Sequence, residues 1–201
     1  MELFNGKPLY SISVEDEETG MFCISLVDEP ATESAWLAFE KNSKPLSFAV
    51  QDEDKRMVRG VVMTADTPIY RRDKNGYEYY VTYSKDTLRM MAEKYLAMGF
   101  QNNVDTMHNW ELEEGVHMQE LFIKDVENGI NPKGFEDIKD GSLFCQFHVL
   151  NDTIWNEIKE GVYKGFSLAG QFEVHPVGND EEFNACMQLI ERLQNKIKNS
   201  K

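Results

Sequence analysis

The sequence is poor in cysteine and in basic residues, and it has no long apolar run. Its three cysteines, Cys23, Cys145 and Cys186, form an odd, widely spaced set that is typical of a reducing compartment without disulfides. Acidic residues outnumber basic ones by 35 to 21, which argues against a nucleic-acid partner, because phosphate binding needs clustered Lys and Arg. No stretch approaches the roughly 18 apolar residues that cross a bilayer, and the N-terminus lacks the pattern of a secretion signal. We therefore expect a cytosolic protein with no membrane partner.

The motifs of common metal and cofactor sites are missing as well. The four histidines, His108, His117, His148 and His175, include no pair at helical spacing, and there is no Cys-x-x-Cys. Neither a Walker-type phosphate loop nor a dinucleotide fingerprint occurs. The sequence thus predicts neither a metal nor a cofactor.

Length and residue pattern favour one α+β domain. With 201 residues, of which 41% are hydrophobic, the chain is long enough to bury one sizeable core, so we expect a single domain over 1–201. Alternation and short apolar runs predict strands at 22–27, 46–50, 58–64, 77–83, 104–107, 116–122, 142–150 and 166–174. Helical spacing predicts a helix capped by Ser84 and ended near Gly99, a short one capped by Asp152, and a C-terminal one over about 180–198.

Two short motifs offer a base and a nucleophile. Met107-His108-Asn109 follows a predicted strand, and the glycine-bracketed Ser167 lies 59 positions further on, in Gly165-Phe-Ser-Leu-Ala-Gly170. A serine hydroxyl becomes a good nucleophile when an imidazole accepts its proton, so the pair indicates acyl transfer. The segment is close to Gly-x-Ser-x-Gly, but its serine lies within a strand and not at a strand-to-helix turn, which excludes an α/β-hydrolase.

Glu120 is the third residue of interest. It alternates with Val116, Met118 and Phe122, which predicts that its carboxylate faces the core and needs a partner there. The alternative is an edge strand on which Glu120 reaches water.

Four sequence blocks carry a resemblance to a known family. They are Gly60-Val-Val-Met63 with Pro68-Ile-Tyr-Arg71, then Tyr80-Val-Thr-Tyr-Ser84, then Met107-His108, and finally the block from Trp155 through Gly161 and Tyr163 to Gly165-Phe-Ser-Leu-Ala-Gly170. From residue 58 to 174 the chain resembles the XkdF-like family of phage serine proteases, relatives of the prohead (capsid maturation) proteases. The last block is the most specific of the four.

The resemblance implies both a fold and an activity. The fold would be the herpesvirus assemblin-like one, a compact mixed or antiparallel β-barrel with flanking helices. The activity would be a serine endopeptidase with Ser167 as nucleophile and His108 as general base. Its implied substrates are phage scaffold and major capsid proteins, cleaved inside the assembling procapsid in the host cytoplasm, and homo-oligomerisation is left open. The alternative is a catalytically inactive structural or scaffolding protein of the capsid interior.

The family motif is also rearranged. Ile24-Ser-Leu-Val-Asp-Glu-Pro-Ala31 is similar to the Ser-Leu-Val-x-x-Pro-Ala strand of ordinary prohead proteases, where this strand follows the catalytic serine. A circular permutation explains the reversed order, with one strand, at about 21–31, moved to the N-terminus. We therefore expect this strand to pair in the sheet that carries His108 and Ser167.

One family residue is replaced. The glutamate that precedes Ser-Leu-Val in ordinary prohead proteases aligns with Cys23, and a buried thiol does not orient an imidazolium as a carboxylate does. Either another group takes this role or the site works as a dyad. Glu120 is the first substitute that the sequence offers, ahead of His117 and His148.

Overall fold

The computed structural model describes residues 1–16, 18–28, 49–52 and 55–178, which form a mixed α+β structure. The strands are β1 Leu3–Phe4, β2 Lys7–Ser13, β3 Gly20–Val27, β4 Ala49–Asp52, β5 Met57–Met63, β6 Ile69–Arg72, β7 Glu78–Tyr83, β8 Val104–Thr106, β9 Val116–Ile123, β10 Leu143–Val149, β11 Gly165–Gln171 and β12 Glu173–Pro176. The helices are α1 Lys85–Ala97 and α2 Asp152–Lys159, with a 3₁₀ turn at Phe100–Asn102. The predicted α+β class is confirmed, and the assemblin-like barrel stays a prediction.

The described strands are arranged in three sheets. One has the order β1-β2-β7-β6 with β12 also paired to β2, the second has the order β4-β5-β10-β9, and the third has the order β11-β3-β8. Two pairings, β2 with β7 and β3 with β8, are parallel, and the other pairings of described strands are antiparallel. The third sheet is the one that carries the candidate site.

Most of the predicted elements are present, with small differences at their ends. Ser84 caps α1 as predicted, because its hydroxyl accepts the Thr87 amide at 3.0 Å. The cap of α2 is Asn151 and not Asp152, since the Asn151 side chain accepts two amides of the first turn. The predicted strand 166–174 is two strands in different sheets, β11 and β12. The predicted C-terminal helix over 180–198 and residues 46–48 of a predicted strand lie outside the described residues.

The central strand of the third sheet explains why an N-terminal segment is integral to the fold. β3 lies between β11 and β8, and all of its residues except Phe22 are buried. The sequence of a strand that is covered on both faces is a nearly continuous apolar run, and the sequence of β3 has this pattern. The expectation that the N-terminal strand pairs in the sheet of His108 and Ser167 is confirmed, because β11 carries Ser167 and β8 leads directly to His108.

Helix α1 covers this part of the molecule. Leu88, Met91, Ala92 and Tyr95 are buried at helical spacing and join the main apolar core, whereas Leu96, predicted to be in the same stripe, is exposed. The chain then turns at Gly99, which has φ +76°, a left-handed conformation that favours glycine after a helix. Among the described residues, no helix is long and apolar enough to cross a membrane.

Lys124 holds the segment 130–141 against the second sheet. Its side chain is almost fully buried, and its ammonium donates to the main-chain carbonyls of Phe135, Glu136 and Ile138 at 2.9, 2.9 and 2.7 Å. These three bonds use all the hydrogens of the ammonium group, which offsets the cost of burying its charge. The segment lacks strands and helices, as predicted for 130–141, and depends on this anchor.

We predict that Lys124→Met lowers the free energy of unfolding by about 2–4 kcal/mol, because three main-chain carbonyls, at buried or partly buried positions, lose a charged donor. Chemical denaturation monitored by circular dichroism measures the change. Lys133→Met is the matched control, since Lys133 lies exposed in the same segment, and its effect should stay within about 0.5 kcal/mol. Equal effects of the two substitutions would contradict the anchoring role of Lys124.

Candidate active site

A row of three polar residues crosses the third sheet. Ser167 on β11 lies directly opposite Ser25 on β3, and Ser25 lies opposite Asp105 on β8. Residues that face each other on neighbouring strands project to the same side of a sheet. Ser25 and Asp105 are fully buried at 0% exposure, and Ser167 retains 7%. Ser167 is therefore the member of the row whose hydroxyl is best placed to meet a substrate.

His108 follows β8 in a loop with an unusual backbone. Met107, His108 and Trp110 have φ values of +52°, +56° and +63°. Such left-handed conformations cost about 1–3 kcal/mol each in non-glycine residues and cluster at functional sites. Hydrogen bonds of the main chain hold the loop: the Met107 amide donates to Leu26 O at 2.9 Å, and the Trp110 amide donates to Asp105 Oδ2 at 2.9 Å.

This loop places the imidazole against the row. His108 Nδ1 lies 2.8 Å from Ser25 Oγ, within hydrogen-bond distance, and the side chain is half-buried. Because Ser25 and Ser167 are in-register neighbours, the imidazole lies on the side of the sheet from which Ser167 projects. Among the described residues Ser167 makes no side-chain hydrogen bond, so its hydroxyl remains available.

Asp105 and Cys23 lie beside Ser25 and behind the imidazole. Asp105 Oδ1 is buried and, within the described part of the chain, accepts no hydrogen bond of normal geometry. Burial, together with the neighbouring Asp105 carboxylate, raises the pKa of the Cys23 thiol to about 12. Cys23 therefore stays a neutral thiol at physiological pH, and it serves neither as a nucleophile nor as a charged partner of His108.

The structure corrects the predicted placement of Glu120. The carboxylate is exposed and forms an ion pair with Arg59, with 2.7 Å between Oε2 and Nη2. The cause is a register shift between β9 and β10: Gln146 pairs with Glu120, but the next residue, Phe147, pairs with Met118. This extra residue reverses the alternation, so Glu120 shares a face with Phe122 and not with Met118. The expectation that Glu120 faces the core is therefore wrong, and its described contact is Arg59 and not His108.

The other histidines lie elsewhere. His117 and His148 face each other across β9 and β10 in the second sheet. His175 on β12 lies among exposed groups, with its Nε2 3.1 Å from Glu15 Oε1 and 3.7 Å from Glu173 Oε2. Among the described residues, the ligand atoms of Glu15, Glu173 and His175 lie within 4.8 Å of one another, which is close enough to hold a cation. The imidazole already pairs with both carboxylates.

Two residues of the site were missed by reasoning from the sequence. Ser25 stood inside the Ser-Leu-Val motif, and Asp105 stands three positions before His108, but neither carries a local signal of chemistry. Their importance arises from the register that joins β3, β8 and β11, which connects positions far apart in the chain.

His108 is bound to Ser25, and the same face of the sheet carries the more accessible Ser167. This arrangement defines a candidate serine-hydrolase site. Residues 46–175 match the model of a protein family described as "Putative phage serine protease XkdF". This match covers well over half of the chain, and the protein belongs to that family.

A curated relative supports the same assignment. The chain is 27% identical over 183 residues to the phage-like element PBSX protein XkdF of Bacillus subtilis (strain 168). The alignment covers 83% of this chain and 59% of that protein, so the chain spans less than two thirds of the relative's length. No solved structure matches the chain.

We predict that the Cys23 and Cys145 thiols resist modification in the folded protein at mildly alkaline pH. Burial raises the pKa of both thiols, so the reactive thiolate is scarce. The measurement is reaction with a thiol reagent followed by mass spectrometry, in a Cys186→Ser variant that leaves these two cysteines. Both should react once the chain is unfolded in denaturant. Rapid modification of Cys23 in the folded protein would contradict the environment described here.

Proposed function

We propose that the protein is a serine endopeptidase of the phage prohead type, with Ser167 as the nucleophile and His108 as the general base. The observation that carries this proposal is the position of the His108 imidazole, bound to Ser25 at 2.8 Å over the row that includes Ser167. Among the residues that the structure describes, no hydrogen bond occupies His108 Nε2, so this nitrogen can accept the serine proton. Family membership supplies independent support.

The proposed reaction is acyl transfer. His108 Nε2 takes the hydroxyl proton as Ser167 Oγ attacks the peptide carbonyl carbon, giving a tetrahedral intermediate. The intermediate collapses as the imidazolium gives that proton to the leaving amine, which leaves an acyl ester on Ser167. Water, deprotonated by His108, then hydrolyses the ester and restores both residues.

Two serines compete for the role of nucleophile, and exposure favours Ser167. Ser25 is closer to His108, but it is fully buried between β11 and β8, where a peptide carbonyl does not reach it. Ser167 lies next to it at the accessible side of the row. Ser25 is better suited to holding the imidazole in place.

The surroundings of His108 suit a polypeptide substrate. Met107, Trp110 and Leu112 are large apolar residues of the same loop, and all three are exposed. Exposed apolar side chains beside a reactive group offer binding area for the side chains of a peptide. We propose that the substrates are phage scaffold and major capsid proteins, cleaved within the procapsid, as the family resemblance implies.

The order of the motifs fits a circular permutation of an assemblin-like fold. β3 is the antiparallel neighbour of β11, a position that a strand directly following β11 in the chain could also occupy. In this chain, however, β3 precedes both other strands of the sheet. We propose that β3 is the permuted equivalent of the strand that follows the nucleophile in ordinary prohead proteases.

A second function has one observation in its favour. Cys23 occupies the position that the resemblance assigns to an orienting glutamate, and its thiol is neutral. A protein that lost this carboxylate and its activity would serve as a structural component of the capsid interior.

We predict that a fluorophosphonate probe labels wild-type protein at Ser167 and that Ser167→Ala abolishes labelling, because the probe reacts with activated serine hydroxyls. Peptide mapping by mass spectrometry locates the adduct. His108→Gln should slow labelling by at least about a thousandfold, the scale seen when a triad member is removed. Ser13→Ala, on β2 outside the site, is the control and should label like wild type.

Other outcomes would reject the assignment in different ways. An adduct on Ser25 would move the nucleophile to β3. A folded wild-type protein that takes up no probe and cleaves no co-expressed head protein would favour the structural function.

A further inference from the structure

The His108–Ser25 hydrogen bond sets a requirement for proton positions. For Nε2 to accept the proton of Ser167, Nδ1 must carry the hydrogen of the neutral ring. Ser25 Oγ, at 2.8 Å, is then the acceptor of the Nδ1 hydrogen. Ser25 is fully buried, so its own hydroxyl hydrogen needs an acceptor inside the protein.

Asp105 offers that acceptor. It is the in-register neighbour of Ser25 on β8, and side chains at such positions start roughly 5 Å apart, a gap that a hydroxyl and a carboxylate bridge with a change of rotamer. Among the described residues its buried Oδ1 has no partner of normal hydrogen-bond geometry, although the Cys23 thiol lies beside this carboxylate, and its Oδ2 accepts the Trp110 amide at 2.9 Å. A fully buried carboxylate oxygen without a partner is costly, and a catalytic role is one explanation for keeping it.

We propose that Asp105 and Ser25 act together as positioning residues for His108, with Ser25 fixing the tautomer and Asp105 supplying the negative charge that stabilises the imidazolium. This inference rests on the proposed role of His108 as the general base. Asp105 also binds the loop that carries His108 through the Trp110 amide. One carboxylate thus fixes the backbone of the loop with one oxygen and polarises Ser25 with the other.

Other carboxylates near His108 are less suited to this role. Glu111 and Glu114 are exposed, and Glu113 is half-buried and accepts the Thr106 hydroxyl at 3.1 Å. A buried charge interacts more strongly than an exposed one at similar distance, because water screens it less. Cys23, a titratable neighbour of both Asp105 and Ser25, is a neutral thiol.

The first test compares rates of fluorophosphonate labelling in three variants. Asp105→Asn keeps an oxygen for the Trp110 amide and removes the charge, and Ser25→Ala removes the hydroxyl. Each should slow labelling of Ser167 by about 10- to 1,000-fold, less than the ~10⁴-fold loss caused by removing a directly bound aspartate. Glu111→Gln is the matched control, since it removes an exposed carboxylate of the same loop, and it should label like wild type.

Two further readouts separate positioning from a merely structural role. In Asp105→Asn the labelling rate at saturating probe should fall while the probe concentration that gives half-maximal rate stays unchanged, because loss of the buried charge destabilises the imidazolium that forms only in the transition state. Imidazole nitrogen NMR, assigned with His108→Gln, should show the Nδ1–H tautomer in wild type and a mixture in Ser25→Ala. Asp105→Ala, which also loses the Trp110 bond, should lower thermal stability more than Asp105→Asn does.

Each outcome distinguishes the inference from the proposed function. If wild type takes up no probe, the proposed nucleophile fails, and the NMR tautomer of His108 still decides whether Ser25 and Asp105 orient it. If wild type is labelled and both variants match Glu111→Gln in rate and in His108 tautomer, the inference is overturned and His108 works with Ser167 as a dyad. If the two residues act together, the Ser25→Ala/Asp105→Asn double variant should be labelled no more slowly than the slower of the two single variants. A labelling rate reduced by the product of the two single effects would refute joint action.

Discussion

The pairing of β3 between β11 and β8 is the constraint on which the rest of the site depends. It sets Ser167, Ser25 and Asp105 in one row and brings the loop with His108 to the same face. The strand comes from the N-terminal part of the chain and its partners from distant positions, so the site exists only when the whole sheet is formed. Gly170 contributes to this closeness, because a Cβ there would lie 2.1 Å from Gly20 O on β3.

The site contains several features that lower the stability of the fold, and a purely structural sheet would avoid them. The loop of His108 contains three left-handed non-glycine residues, and the imidazole is bound to a buried serine of another strand. Nearby is a buried carboxylate oxygen that has no hydrogen-bond partner among the described residues. The hydrogen bonds that the Met107 and Trp110 amides donate to Leu26 O and to Asp105 Oδ2 compensate part of the strain. Such a concentration is typical of residues selected for reactivity, and it is the physical basis for preferring an enzyme to an inert capsid component.

Local patterns in the sequence predicted most elements, because strands such as β3, β5 and β10 carry continuous or alternating apolar residues. They failed where the outcome depended on pairing. The bulge in β9 that turns Glu120 to Arg59 has no local signature. The strands β1 and β6 were missed because they span only two and four residues, and the seven-residue β2 was missed because its apolar residues are few. His108 and Ser167 were found from motifs, whereas Ser25 and Asp105 became visible only through the register.

The central claim is that His108 activates Ser167 while Ser25 holds the opposite nitrogen of the ring. A crystal structure of the protein with a peptide boronate tests it most directly, since boronates form covalent adducts with activated serines. We expect a boron–Oγ bond on Ser167, His108 Nε2 within hydrogen-bond distance of the adduct, and Nδ1 still bound to Ser25. An adduct on Ser25, or an adduct on Ser167 with His108 turned away from it, would contradict the account.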